Sequence, residues 1–163
     1  MSRFSIDINE VSDKRELIPA GDYPIRIIKG STKAGDYKTK TGEERHYINL
    51  NFTAVVRDEE VSRIIGQDEP KCFPSVFVSL DSNWNLLKEN EALGKFRNAM
   101  GFSDNSAFED GTEDAETMEE YVKKFFSNMA ESCVGADLLA KIGTRTYNDE
   151  LQNTVSSLAA FVE

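Results

Sequence analysis

The feature that most constrains this chain is the stretch 44–56, in which apolar and polar side chains alternate. Ile48, Leu50, Phe52 and Ala54 fall on one side, and Arg45, Tyr47, Asn49, Asn51 and Thr53 on the other. A period of two marks an extended strand with one face buried and one in water. A lone strand leaves its backbone donors and acceptors unpaired, so this segment commits the chain to a sheet.

Strands on either side follow from similar signals. The turn Pro19-Ala20-Gly21-Asp22 leads into a β-rich run, 23–29, where Ile27-Ile28 breaks the alternation and predicts a bulge or a strand covered on both faces. Residues 34–42 read as a loop, and so does the charged stretch 57–70 with Gly66 and Pro70. A third strand is expected at 73–80, with Val76, Val78 and Leu80 inward and Phe73, Ser75, Phe77 and Ser79 outward.

Helical periodicity then takes over. Asp81-Ser82-Asn83 offers N-caps, Leu86, Leu93, Phe96 and Met100 form a stripe, and Gly101 ends the helix. The stretch 103–116 reads as a mobile loop. Thr117-Met118-Glu119-Glu120 fits a capping box opening a second helix, with Met118, Tyr121, Val122, Phe125 and Met129 on one side. Leu138, Ala140 and Ile142 restore the strand pattern, Asn148-Asp149-Glu150 turns the chain, and 151–162 is the last strand. Tyr23, Trp84, Phe96 and Phe125 belong to the core by their apolar periodicity. The fold class expected is mainly β with a helical insertion (β+α). Three strands, helices within 81–134 and two more strands are the order of a five-stranded OB-type barrel, its helices between strands 3 and 4. One domain, 1–163, carries a polar arm at 1–16.

Charge is distributed unevenly. The formal net charge is −10, yet eight acids and no Lys or Arg lie between Ser103 and Tyr121, while 26–45 holds six bases against three acids. Over a screening length of about 8 Å the local sign outweighs the total. No apolar run approaches the roughly 18 residues of a membrane span, and the N-terminus lacks a signal-peptide core, so a cytoplasmic protein is expected. Cys72 and Cys133 read as buried free thiols. With His46 the one histidine, read as an exposed strand-end residue, neither a zinc site nor a catalytic triad is expected. No phosphate loop, dinucleotide fingerprint or HExxH is present, so no cofactor and no enzyme activity are expected.

What the residues do offer is cations interleaved with rings. Single strands are held without base readout by bases stacking on aromatic side chains and phosphates tracking Lys and Arg. Arg26, Lys33, Lys38, Lys40 and Arg45 supply charge around the first hairpin, and Tyr37 and Tyr47 supply rings. Arg145 and Tyr147 repeat the pair before the last turn, and Phe73 and Phe77 are a candidate floor between the two clusters. In such a barrel the loops joining strands 1–2 and 4–5 flank one groove, so the clusters are expected to converge.

Pro19-Ala20-Gly21-Asp22-Tyr23, Thr39-Lys40-Thr41-Gly42 before the long strand, Glu91-Ala92-Leu93-Gly94-Lys95-Phe96 and Arg145-Thr146-Tyr147-Asn148 resemble a family of bacteriophage replication and recombination proteins over roughly residues 17–160. Those are OB-fold single-stranded DNA-binding proteins. The resemblance implies a non-catalytic protein that coats single-stranded DNA in the host cytoplasm, self-associates, and uses the Lys/Tyr hairpin and the Arg145–Asn148 turn as its groove. Many such proteins end in an acidic tail, whereas this sequence ends Leu158-Ala159-Ala160-Phe161-Val162-Glu163. The internal 103–120 block is then the candidate segment for recruiting replication or recombination proteins. Two other classes fit parts of the sequence: an acidic DNA mimic or adaptor for a basic protein, and a metal-dependent nuclease.

Overall fold

Strand β2 (Glu44–Val56) is paired along both edges. On one side it meets β1 (Gly21–Lys38) over almost its whole length. On the other it meets β4 (Ser75–Leu80) through residues 46–51, then β3 (Lys71–Cys72) through Ala54 and Val55. The computed structural model describes residues 3–10 and 16–162. Past β1 come β5 (Asp137–Tyr147) and β6 (Glu150–Ala160), completing a six-stranded antiparallel sheet in the order β3-β2-β1-β5-β6, with β4 also on β2. This is one strand more than the five expected, because 57–70 is not simply a loop. It folds into α1 (Glu59–Ile65), capped by Asp58 accepting from the Val61 N–H and closed by Gly66 at φ 75°, and delivers the chain to β3.

The alternation read from 44–56 holds in space. Ile48, Leu50, Phe52, Ala54 and Val56 are all buried, joined by Ile25 and Ile27 of β1, Val76, Val78 and Leu80 of β4, and Leu138, Ala140 and Ile142 of β5. Ile27-Ile28 is a bulge: Ile27 pairs with Ala54 and Lys29 with Thr53, leaving Ile28 unpaired in the ladder and exposed. The expected loop 34–42 is largely strand, since β1 stays in register with β2 to Lys38 and only 39–43 turns. Propensity missed it because Ala, Gly, Asp and Lys are poor strand formers whose pairing here is imposed by β2.

Two helices separate β4 from β5: α2 (Glu91–Met100) and α3 (Met118–Ser132). The helix does not begin at Asp81. The Asp81 carboxylate instead accepts the Asn83 and Asn85 N–H groups, holding an Asx-type turn that delays α2 to Glu91. Gly101, at φ 73°, closes α2 as expected. Helix α2 packs on β4 and β6, and α3 packs on the inner side of β1 and β2. The α3 cap is half a capping box: Thr117 Oγ1 accepts from the Glu120 N–H, while the Glu120 carboxylate takes the Glu116 N–H. Its buried stripe is Val122, Phe126, Met129 and Ala130, with Tyr121 and Phe125 partly covered and Met118 exposed.

The acidic stretch 103–116, expected as a loop, is mostly exposed but anchored by two buried residues, Phe108 and Thr112. Phe108 is buried against Phe102 and Phe125, and the Asn128 amide donates to the Phe108 and Asp110 carbonyls. Among the described residues no helix is long and apolar enough to cross a membrane.

Gly30 lets α3 lie directly on the sheet. A Cβ there would stand 2.1 Å from the Ala130 carbonyl oxygen, a backbone atom fixed within the helix. Gly30→Ala is therefore expected to cost about 1–3 kcal/mol and lower the melting temperature by several degrees. An unchanged melting curve would remove this contact from the account of the fold. Burial also pushes the Cys72 thiol up to about 12 and the Cys133 thiol to about 11. Both should resist a disulfide reagent at pH 8 in the native protein and react in urea; rapid native labelling would contradict their burial.

Candidate nucleic-acid interface

Pairing across the ladders decides which side chains share the outer face, opposite α3. Directly opposed residues of antiparallel strands point to the same side. Starting at the β1–β2 turn, the rows are Tyr37 and Arg45; Gly35, Tyr47 and Ser79; Lys33, Asn49 and Phe77; then Ser31, Asn51 and Ser75. Below them come Lys29 with Thr53, and then Arg26, Val55 and Lys71. The Ile28 bulge is what keeps Arg26 and Lys29 on one face.

Three of the expected rings meet there. Tyr47 stacks on Phe77 with centroids 5.3 Å apart, and Tyr37 lies 5.8 Å from Phe77 and 6.4 Å from Tyr47. The Tyr37 hydroxyl donates to Ser79 Oγ at 3.1 Å, fixing its ring across the neighbouring strands. Tyr47 leans over Gly35, where a Cβ would come 2.5 Å from its hydroxyl oxygen. Arg45 donates to Glu43 at 3.0 Å, and with the Tyr37 hydroxyl and Glu43 beside it the guanidinium holds its proton even more firmly than usual. Lys33 is exposed on the same face and makes no ion pair among the described residues.

The other expected residues are placed differently. Arg26 is on the face but committed, its Nε and Nη2 donating to the two Asp137 carboxylate oxygens at 2.9 and 3.1 Å. That guanidinium holds Asp137 below the usual carboxylate range. Lys38 opposes Glu44 on the reverse side, and Lys40 sits in the 39–43 turn. Phe73 is exposed in the link between β3 and β4, two rows from Phe77. Arg145 and Tyr147 are on the outer face, 6.0 Å apart as a cation over a ring. The register sets Ile142 against Gly21, so they extend past the start of β1, whereas Tyr37 and Arg45 lie at its end. The ladders thus bring Tyr37, Arg45, Tyr47, Lys33 and Phe77 together and do not join them to Arg145 and Tyr147. The β5–β6 turn is a two-residue one, with Asn148 and Asp149 both at positive φ.

His46 is not on the polar face. It shares the side of Ile48, stacks on Trp84 at 3.9 Å, bonds to Asp36 and to the Ser82 carbonyl, and Lys123 caps the Trp84 ring. Sequence reading also passed over Lys29, Lys71 and Lys141, which lie on the outer face without ion pairs, and Asn49, Asn51, Thr53 and Ser31, whose side chains have no hydrogen-bond partner among the described residues. Asn49, Asn51 and Thr53 are visible in the alternation of 44–56; Lys71 is hidden because its two-residue strand falls between the expected loop 57–70 and the expected strand 73–80.

The resulting face carries Arg26, Lys29, Lys33, Arg45, Lys71, Lys141 and Arg145 against Asp22, Asp137 and Glu150, with Glu43 paired to Arg45 at its edge and the charge of Glu69 felt by Arg26. The 103–120 acids are held beside α3, on the other side of the sheet. A basic, ring-bearing, polar surface therefore exists on a strongly acidic chain. No protein-family model matches this sequence, and no curated protein matches it.

Because Tyr47 occupies the space above Gly35, Gly35→Ala is expected to displace that ring while leaving the fold intact. Near-ultraviolet circular dichroism should lose tyrosine intensity with little change in the far-ultraviolet spectrum. Identical near-ultraviolet spectra would show that the ring does not rest there.

Proposed function

We propose that the outer face binds single-stranded DNA without catalysis, in the manner of the phage proteins the sequence resembles. The observation that carries this is the Tyr37–Tyr47–Phe77 platform on a face whose lysines Lys29, Lys33 and Lys71 have no ion-pair partner among the described residues and from which the acidic segment is excluded. Stacking contributes roughly 1–3 kcal/mol per base, more than an exposed ion pair at about 0–1 kcal/mol, so the rings set the affinity and the lysines its salt dependence.

An OB-type barrel is the architecture we infer. Strand β1 pairs with β5 through residues 21–26 and with β2 from Ile25 onward, as a strand bent between two halves of a barrel would. At the sheet's ends β3 approaches β6, and α2 bridges β4 and β6. The acidic segment behind the sheet leaves a separate surface for a basic protein partner.

Titration of a fluorescent oligo-dT at several salt concentrations tests this reading. Binding should weaken with a log–log slope near −0.7 per phosphate contacted. Tyr47→Ala should lose about tenfold or more, and Lys38→Ala, on the reverse side, less than about threefold. Absence of binding would favour a DNA mimic, and degradation of the strand in Mg²⁺ would favour a nuclease. Equal loss in the two variants would remove the platform from the site.

A further inference from the structure

Below the aromatic platform the outer face has a dimple that no side chain among the described residues fills. Two irregularities of the sheet meet on one row. On one flank of β2 the Ile28 bulge sets Lys29 opposite Thr53. On the other, Phe73 and Pro74 interrupt the partner strand between β3 and β4. Pro74 has no N–H to offer a ladder, but its carbonyl takes the Phe52 N–H at 2.9 Å and pins the interruption in place. Bulges and interruptions of this kind re-aim side chains and recur beside functional sites.

The cavity is about 170 Å³, walled by Lys29, Ser31, Asn51, Thr53, Phe73 and Pro74. That is well below the roughly 300–1,000 Å³ of a drug-sized site, so a single flat ring is the size of ligand it suits. Its chemistry is equally restrictive. Phe73 is 59% exposed and offers an open ring. The Asn51 amide can donate and accept at once, the Ser31 and Thr53 hydroxyls stand beside it, and none of the three is engaged by another side chain or backbone group among the described residues. Among the described residues Lys29 has no ion-pair partner and no acid lines the cavity.

We infer that this dimple is a base-reading subsite. One nucleobase of the bound strand sits against Phe73, its edge hydrogen-bonds to the Asn51 amide, and Lys29 faces the adjoining phosphate. The inference rests on the proposed single-strand binding and deepens it: the platform accepts any base, and this row makes one position selective.

Two measurements on the full chain test it. Photo-cross-linking with oligonucleotides carrying 5-iododeoxyuridine should place a cross-link on Phe73 by peptide mass spectrometry. Affinities for dT, dC and dA oligonucleotides of equal length should then be compared in wild type and Asn51→Ala. The spread between best and worst base should narrow by about fivefold or more, the worth of an amide–base pair. If Asn51→Ala does not fold, Phe73→Leu at an exposed position serves the same comparison, and the same narrowing is expected. Cross-links confined to Tyr37, Tyr47 and Phe77 with an unchanged spread would overturn the subsite and leave the proposed function standing. Failure of every oligonucleotide to bind would overturn both.

Discussion

The pairing of β2 along both edges is the constraint on which the rest of the structure depends. A central strand has its backbone satisfied by its neighbours, so its side chains must divide between two faces. Here the division is complete on one side, where Ile48, Leu50, Phe52, Ala54 and Val56 are all buried beneath α3 and the flanking strands. Once those five are inward, Arg45, Tyr47, Asn49, Asn51 and Thr53 have no choice but the other face. A one-residue slip would exchange the two sets, so the buried half fixes the exposed half as firmly as it fixes itself.

Departures from regularity give the exposed face its character. Gly30 admits α3 against the sheet, Gly35 admits Tyr47 over its neighbour, and the Ile28 bulge holds Arg26 and Lys29 on one side. The Pro74 interruption meets that bulge across Thr53. The two glycines keep the ladder and make room by lacking a side chain, Gly30 for a helix and Gly35 for a ring, whereas the bulge and the Pro74 interruption break the ladder itself. Charge follows the same division in part: Lys29, Lys33, Lys71 and Lys141 lie on the open face, and the 103–120 acids are held behind the sheet, where Asn128 anchors the segment at Phe108 and Asp110.

Much of this was legible in the chain. Alternation in 44–56 and 73–80 gave the correct inward and outward sets, Ile27-Ile28 pointed to a bulge or a doubly covered strand, of which the bulge is found, and Asn148-Asp149 announced the hairpin turn. Local signals failed where a distant partner overrode them. Residues 34–38 look like loop and are strand because β2 holds them, and Asp81 looks like a helix start but closes a turn on Asn83 and Asn85. Within the acidic 103–116 stretch, the packing of Phe108 on Phe102 and Phe125 depends on partners that its own spacing does not disclose. Of the expected site, Tyr37, Arg45, Tyr47 and Lys33 share a face with Phe77, but Lys38 is turned to the reverse side because strand parity continues through 34–38. The expected convergence with Arg145 and Tyr147 fails because they lie beyond the other end of β1. His46 was misplaced for want of its partner Trp84, whose stacking no spacing rule discloses.

The separation of a basic ring-bearing face from an acidic reverse side is the central claim, and amide chemical-shift mapping during addition of a short oligo-dT tests it most directly. Perturbations are expected along Lys29, Lys33, Arg45, Tyr47, Asn49, Asn51 and Lys71, with α3 and residues 103–120 unmoved. Shifts concentrated in 103–120, or spread without regard to face, would contradict it.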